Sequence, residues 1–393
     1  MAAPEITSSD PDGFPYGVWH ERHPALFERL KGAFPFSSAQ RAALDALLEE
    51  TRHGSMEPLP DDAPGAALWN GAWDRGHYGK RWTDAPFLWA ESYFYRRLRG
   101  AVGYHAPEGA WRGIDPFGPF KDAELAGDAV DEQLASLDEL DRALVDEKTD
   151  ALLLAALWGN RADLGFLLTA EEEGGDRPLV ADEREALRAL LRDGGGRVSL
   201  VADNAGRELI PDLLLAAHLL GAGRAAEVRL HIKPHPYYVS DATTADVLAA
   251  LRRTAAAPGA AGRAGHLLWR ALEDGRLTLD AHPFFCAPLG YAEMPDDLRA
   301  DFASSALTLM KGDLNYRRLV GDRHWPATVP FAEVTAHFPG PVAALRTLKS
   351  DVATGLTAST VAALDAADPE WRTNGAHALI QVRAPVAGAP GGA

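Results

Sequence analysis

Apolar positions in the first half of the chain recur at helical spacing. Ser37 and Gln40 form a Ser-x-x-Gln capping signature, and Ala43, Leu44, Leu47 and Leu48 then predict a helix running through Glu50. Pro86, following Asp84, suits a first helical position, and Phe87, Ala90, Phe94 and Leu98 continue on one face. The pattern predicts further helices over Asp122–Leu140 and Leu144–Trp158. Six of the ten tryptophans fall between Trp69 and Trp158, which implies a well-packed helical layer.

The pattern changes after an acidic, glycine-containing loop at Glu171–Arg177 and a helix over Asp182–Arg192 with Gly194 just past its end. Arg197–Asp203, Glu227–Ile232, Leu277–Leu279 and Ala306–Met310 are short runs rich in Val, Leu and Ile, as buried strands require. Helical segments at Pro211–Leu220 and Thr243–Arg253 alternate with them, which predicts an α/β fold, a three-layer α/β/α sandwich with a helical N-terminal region. The expected division is a mainly helical region over 1–180, an α/β/α metal- and phosphate-binding domain over 181–385 and a disordered tail over 386–393. Ala255–Gly265 reads as a flexible surface excursion. Val342, Leu345, Leu348 and Val352 read as the apolar face of a helix carrying Arg346 and Lys349.

Charge narrows the function. With 56 acidic residues against 39 Lys and Arg, the formal net charge of −17 opposes broad binding of nucleic acid or of an anionic membrane surface. The single cysteine, Cys286, permits neither an intramolecular disulfide nor a thiolate zinc cluster, and it reads as a small buried hydrophobe. Met1–Pro15 lacks an apolar core of signal-peptide length and no window approaches a membrane span, so a soluble cytoplasmic protein is expected.

The chemistry concentrates where predicted strands end. Asp203 and Asn204 follow an apolar strand, with Gly206 and Glu208 just beyond, and supply hard oxygen ligands of the kind that suit a divalent ion. A turn following a strand explains the same pair, and Asp241 reads equally as a helix N-cap. Lys311-Gly312-Asp313-Leu314-Asn315-Tyr316 combines a cation, a glycine, an acid and an amide after another predicted strand, as a phosphoryl group or a charged surface loop would use. Gly221–Ala226 matches a relaxed dinucleotide fingerprint but follows a helix rather than a strand, which excludes it. His231 and His235 are flanked by Pro234 and Pro236, which break the helical face a metal-binding pair would need, so both read as structural or supporting groups. No phosphate-binding Gly-x-x-x-x-Gly-Lys loop and no Gly-x-Ser-x-Gly elbow occur.

Taken in order, Asp203-Asn204-x-Gly206-x-Glu208, Val239-Ser240-Asp241, Lys311 through Arg317 and Arg346-Thr347-x-Lys349 resemble the motifs of the DUF89 damage-control phosphatases. The match is to the acidic residue methyltransferase 1-like subfamily, marked by Arg-Thr-x-Lys. Trp89–Arg97 and Leu157–Leu164 are similar to segments of the same family. The resemblance implies a metal-dependent phosphatase acting on sugar phosphates or related small phosphorylated metabolites, with manganese, cobalt, nickel or magnesium as the ion. It implies Asp203, Asn204 and Asp241 as metal ligands, and Gly312, Asp313, Leu314, Asn315, Tyr316 and Lys349 as phosphate contacts. On physical grounds Lys311, Arg346 and Lys349 would offset developing charge, and Asp313 or Glu208 would act as general acid or base. Both direct attack by water and a phosphoryl intermediate on Asp203 fit these residues. Two other functions compete: S-adenosylmethionine-dependent methylation of protein glutamates, for which no glycine-rich turn is evident, and noncatalytic sugar-phosphate binding.

Overall fold

Seven strands carry the architecture of the computed structural model, which describes residues 3–159, 179–192 and 195–384. They are β1 (Leu179–Asp182), β2 (Arg197–Val201), β3 (Glu227–His231), β4 (Leu277–Asp280), β5 (Leu307–Lys311), β6 (Val342–Thr347) and β7 (Ala378–Arg383). They lie side by side in the order β1-β7-β6-β5-β2-β3-β4, every pair parallel except β6 with β7. Every residue of β5 is buried, as expected where helices cover both faces of a parallel sheet.

One face packs Val198, Leu200, Val228, Leu230, Leu307 and Leu309 against the helices Val145–Trp158, Leu209–Gly221, Thr244–Ala255 and Gly259–Glu273. The other packs Val201, Met310 and Ala344 against the N-terminal helices His23–Ala33, Ser38–His53 and Phe87–Ala101. Edge-to-face rings fill this second layer, Trp19 lying 5.6 Å from Phe94 and 5.7 Å from Trp82 between centroids. The protein is therefore the expected three-layer α/β/α sandwich with a helical N-terminal region. The tryptophans do not all share one layer: Trp69, Trp82 and Trp89 lie in the N-terminal core and Trp158 in the opposite one.

Several local expectations are met. Ser37 and Gln40 form a reciprocal capping box and helix Phe87–Ala101 follows Pro86. Others are corrected. The segment 122–140 is interrupted because Gly127 is extended, which starts a new helix at Asp128 before a tighter turn at Ser136–Arg142. Ala255–Gly265 is no excursion, since helix Gly259–Glu273 begins within it. A Cβ on Gly262 would lie 2.1 Å from the Ala257 carbonyl oxygen, so small residues here allow close packing of backbone on backbone. Val342–Thr347 is a strand rather than a helix, because both its faces are buried and a fully buried strand shows no alternation. The predicted loop at 171–177, Gly194, most of Leu157–Leu164 and the tail beyond 384 lie outside the described residues. Among the described residues no helix is long and apolar enough to cross a membrane.

Candidate functional site

The carboxyl ends of β2, β3, β5 and β6 bring the motifs to one edge of the sheet. There β2 and β3 part, and the segment Asp241–Thr243 enters between them. Ala242 donates its N–H to the Asp203 carbonyl and accepts from Lys233 N–H, both at 2.9 Å. A backbone bridge joins Asn204 to Asp241, and the Ser240 hydroxyl donates to Asn204 Oδ1 at 2.6 Å. These bonds place Asp203, Asn204 and Asp241 in one cluster although the last is far along the chain. The N-cap of the following helix is Thr243, which forms a capping box with Asp246. Asp241 is thus free of the capping role its position suggested, and its Oδ2 instead accepts Tyr238 N–H at 2.7 Å.

Asp241 is fixed from the N-terminal layer as well. The buried Lys121 ammonium donates to the Asp241 carbonyl at 2.9 Å while paired with Asp115 and Asp246. Nothing in the sequence marked Lys121, because its partners are 120 or more residues away for two of its three bonds.

Electrostatics at Asp203 favour a cation. Burial first, and then the Glu208 and Asp241 carboxylates, lift its carboxyl well above the usual range, while Lys349 and Lys233 pull it down. Asn204 donates to Asp203 Oδ2 at 3.2 Å and to Glu208 Oε2 at 3.0 Å, bridging two acids. Gly206 turns at φ +64°, and a Cβ there would lie 2.7 Å from Glu124 Oε2. Two aspartates and a nearby glutamate, crowded and short of positive charge, fit a divalent ion with oxygen ligands, while Asn204 turns its amide nitrogen to the acids and its oxygen to Ser240.

The second wall is the helix Gly312–Val320. Gly312 has φ +84°, and a Cβ on it would sit 1.8 Å from Asp203 Oδ2, so only glycine lets this helix start against the carboxylate. Its first amides have no side-chain cap, a ready anion cradle.

The remaining motif residues divide by what they touch. Burial pushes the Asp313 carboxyl up, but Arg346, Arg317 and the hydrogen bonds from Arg346 and Ser350 together more than offset this and hold it below its usual range. Arg346 is fully buried and also meets Ser350 and the Val352 carbonyl, while the Lys349 side chain is exposed at the edge. Arg346 and Lys349 therefore do not share a face as the helical reading had it. Lys311 is buried against Asp212 at 3.0 Å and donates to the Ala156 carbonyl, so its charge is already met. Asn315 donates to the Ala202 and Lys311 carbonyls at 3.1 and 2.8 Å, tying β2 to β5. Tyr316 meets Thr354 and Gln381, and Leu314 is half-buried.

A second group could hold a metal ion by ligand type and spacing. His231, Asp280 and Asp301 present ligand atoms all within 4.8 Å of one another. His231 is fully buried and held below its usual pKa by desolvation. Asp301 already meets Arg197 at 3.0 Å and Arg229, so a dication here would compete with two guanidinium groups. The sequence reading took His231 as structural and did not single out either aspartate: Asp280 ends β4, and Asp301 lies within the helix Asp296–Ala303.

Comparisons with known proteins agree with this geometry. The profile of the Damage-control phosphatase ARMT1-like domain matches residues 18–364. The chain is similar to the Damage-control phosphatase ARMT1 of Danio rerio, 31% identical over 369 residues that cover 83% of this chain and 81% of that protein. The rat protein of the same name is 31% identical over 376 residues, covering 84% and 83%. The human one is 30% identical over 343 residues, covering 78% and 76%. Among solved structures, a DUF89 family protein from Pyrococcus horikoshii shares the fold with TM-score 0.51 and 15% identity, covering 87% of this chain and 96% of that one. With the family profile spanning most of its length and relatives at this identity, the chain belongs to the ARMT1-like damage-control phosphatase family.

Proposed function

We propose that this protein is a metal-dependent phosphatase of the damage-control type, hydrolysing phosphate esters of sugars or related small metabolites at the cluster around Asp203. The observation that carries the reading is the crowding of Asp203, Asp241 and Glu208 beside Asn204, with helix Gly312–Val320 starting directly against Asp203. Asp203, Asn204 and Asp241 would hold manganese, cobalt, nickel or magnesium. When bound, such an ion supplies Lewis-acid polarisation of a phosphoryl oxygen and lowers the pKa of bound water.

The chain's own groups do the rest. The free amides of Gly312, Asp313 and Leu314 receive the phosphoryl oxygens, and exposed Lys349 closes over them from solvent. Asp313 is fixed by Arg346 and Ser350, and Glu208 by Asn204, so both carboxylates stand ready in defined orientations to take or give a proton. Arg346 and Lys311 act through the groups they hold: Arg346 orients Asp313, and Lys311 secures the end of β5.

Room for the non-phosphate part of a substrate lies next to Val239. A cavity of about 380 Å³ runs between the N-terminal helices and the sheet edge, lined by Arg22, His23, Glu91, Tyr95, Val239 and Arg317. Acid, guanidinium and phenol groups suit a hydroxyl-rich ligand.

The test is a phosphate-release screen over phosphorylated sugars, each ion added after chelation. Asp203→Ala and Asp241→Ala are expected to abolish metal-stimulated release while leaving the fold intact by circular dichroism. Turnover retained in either variant would count against the assignment.

A further inference from the structure

Lys233 leaves β3 two residues after His231, and its ammonium is buried, 1% exposed, with no hydrogen-bond partner among the described residues. An unpartnered buried ammonium is costly, and such a group in a native fold calls for an explanation. Other buried cations at this edge are committed. Lys121 pairs with Asp115 and Asp246, Lys311 with Asp212, Arg346 with Asp313 and Arg317 with Asp322. Two neighbours of Lys233 meet its charge in part or not at all. Its ammonium stands over the Tyr237 ring, 5.8 Å from the centroid, a cation–π contact weaker than an ion pair, and burial pushes the Cys286 thiol up to about 12, which keeps it neutral.

Its position points to a ligand. Val201 and His231 are register partners in β2 and β3, so Asp203 and Lys233, each two residues farther on, project from the same side of the sheet. Only the backbone of Ala242 lies between them, bonded to one on each side, and the Ala242 side chain belongs to the core of the opposite face. Two strand spacings separate the two backbones, roughly 10 Å, with no side chain of the intervening residue in the gap.

We propose that Lys233 is the interior cation of the phosphate site, its ammonium donating to a non-bridging oxygen of a phosphomonoester dianion while Lys349 approaches from solvent. This rests on reading the Asp203 cluster as the phosphatase site. The carboxyl groups of Asp203, Asp241, Glu208 and Glu124 outnumber the two ammonium groups there, and a dication would offset that excess. A phosphomonoester dianion then meets the ion together with the two ammonium groups.

The experiment is calorimetric titration of inorganic phosphate into manganese-loaded wild-type and Lys233→Met protein, with manganese affinity and denaturant unfolding measured on both. Methionine keeps the length and removes the charge. Phosphate affinity should fall about 10- to 100-fold, the worth of one charge-assisted hydrogen bond, with manganese affinity equal or raised and the unfolding midpoint equal or raised. Lys233→Arg should retain most of the phosphate affinity. Unaltered phosphate binding in Lys233→Met overturns the proposal. So does a lowered midpoint or failure to fold, which would mark Lys233 as a counter-ion of the fold. Wild-type protein that neither binds phosphate nor releases it with any metal would overturn the phosphatase reading itself.

Discussion

Replacing Gly312 by alanine perturbs the Asp203 site with a single methyl group. The new Cβ would lie 1.8 Å from Asp203 Oδ2, 2.1 Å from its Cγ and 2.7 Å from its Cβ. Van der Waals contact begins near 3.4 Å, so the carboxylate must retreat by more than an ångström or the start of helix Gly312–Val320 must lift away. Backbone strain adds to this, because φ +84° costs a residue with a Cβ about 1 kcal/mol or more. Displacing a reacting group by an ångström costs about 100-fold in rate, so kcat/KM should fall by about that much or further. Gly223→Ala is the control. It has φ +68° with no atom near its Cβ position, and should show the strain cost in stability with full activity. The assay is metal-stimulated phosphate release, with manganese affinity and urea unfolding on both variants. Wild-type kcat/KM and manganese affinity in Gly312→Ala would refute the argument that the carboxylate and this helix start are fitted to each other.

Two further predictions concern stability. Burial lifts the Glu91 carboxyl to about 7 even though Arg317 lies 3.7 Å away, desolvation outweighing that attraction. Because the folded pKa is above the unfolded one, the fold binds the proton more tightly. Stability should therefore fall as pH rises from about 4.5 to 7 and level off above. Glu91→Gln should lose Glu91's share of this fall and give a shallower profile than wild type by urea unfolding between pH 5 and 8, and parallel profiles for the two proteins would refute it. Lys311→Met leaves the buried Asp212 carboxylate alone and should cost about 3–5 kcal/mol, increasingly as pH rises, since burial already lifts Asp212 to about 6 beside its partner. Lys311→Met combined with Asp212→Leu should recover most of that loss, and an additive double variant would show that the pair does not act as a unit.

What the sequence made legible follows from where side-chain pattern and geometry coincide. Strands β2, β3 and β5 were readable because their Val, Leu and Ile runs end in polar residues at the sheet edge, where ligand-binding groups gather. Strand β6 was not, since Val342, Leu345 and Leu348 sit at helical spacing by coincidence while all of Val342–Leu345 is buried on both faces. Nor could composition tell glycines that loosen a chain from glycines that let two helices touch, which is why Ala255–Gly265 was misread. At the site, the motif residues were found in one neighbourhood, but their division of labour was hidden. Whether a lysine meets substrate or a buried aspartate depends on a partner distant in sequence: Asp212 for Lys311, and no hydrogen-bond partner among the described residues for Lys233. The capping alternative for Asp241 was equally open until Thr243 was seen to hold that role.

The last strand among the described residues does not lie at the rim of the sheet. β7 lies between β1 and β6, and from it Gln381 accepts the Tyr316 hydroxyl at 2.9 Å and donates to the Thr354 carbonyl. Tyr316 belongs to the helix that begins at Gly312, so the start of that helix beside Asp203 is braced from a strand 65 residues farther along. A truncation that removed β7 would take away this anchorage while leaving Asp203, Asn204 and Asp241 in the chain. Loss of a remote strand can thus loosen the helix that starts against Asp203 without touching any of the residues gathered there.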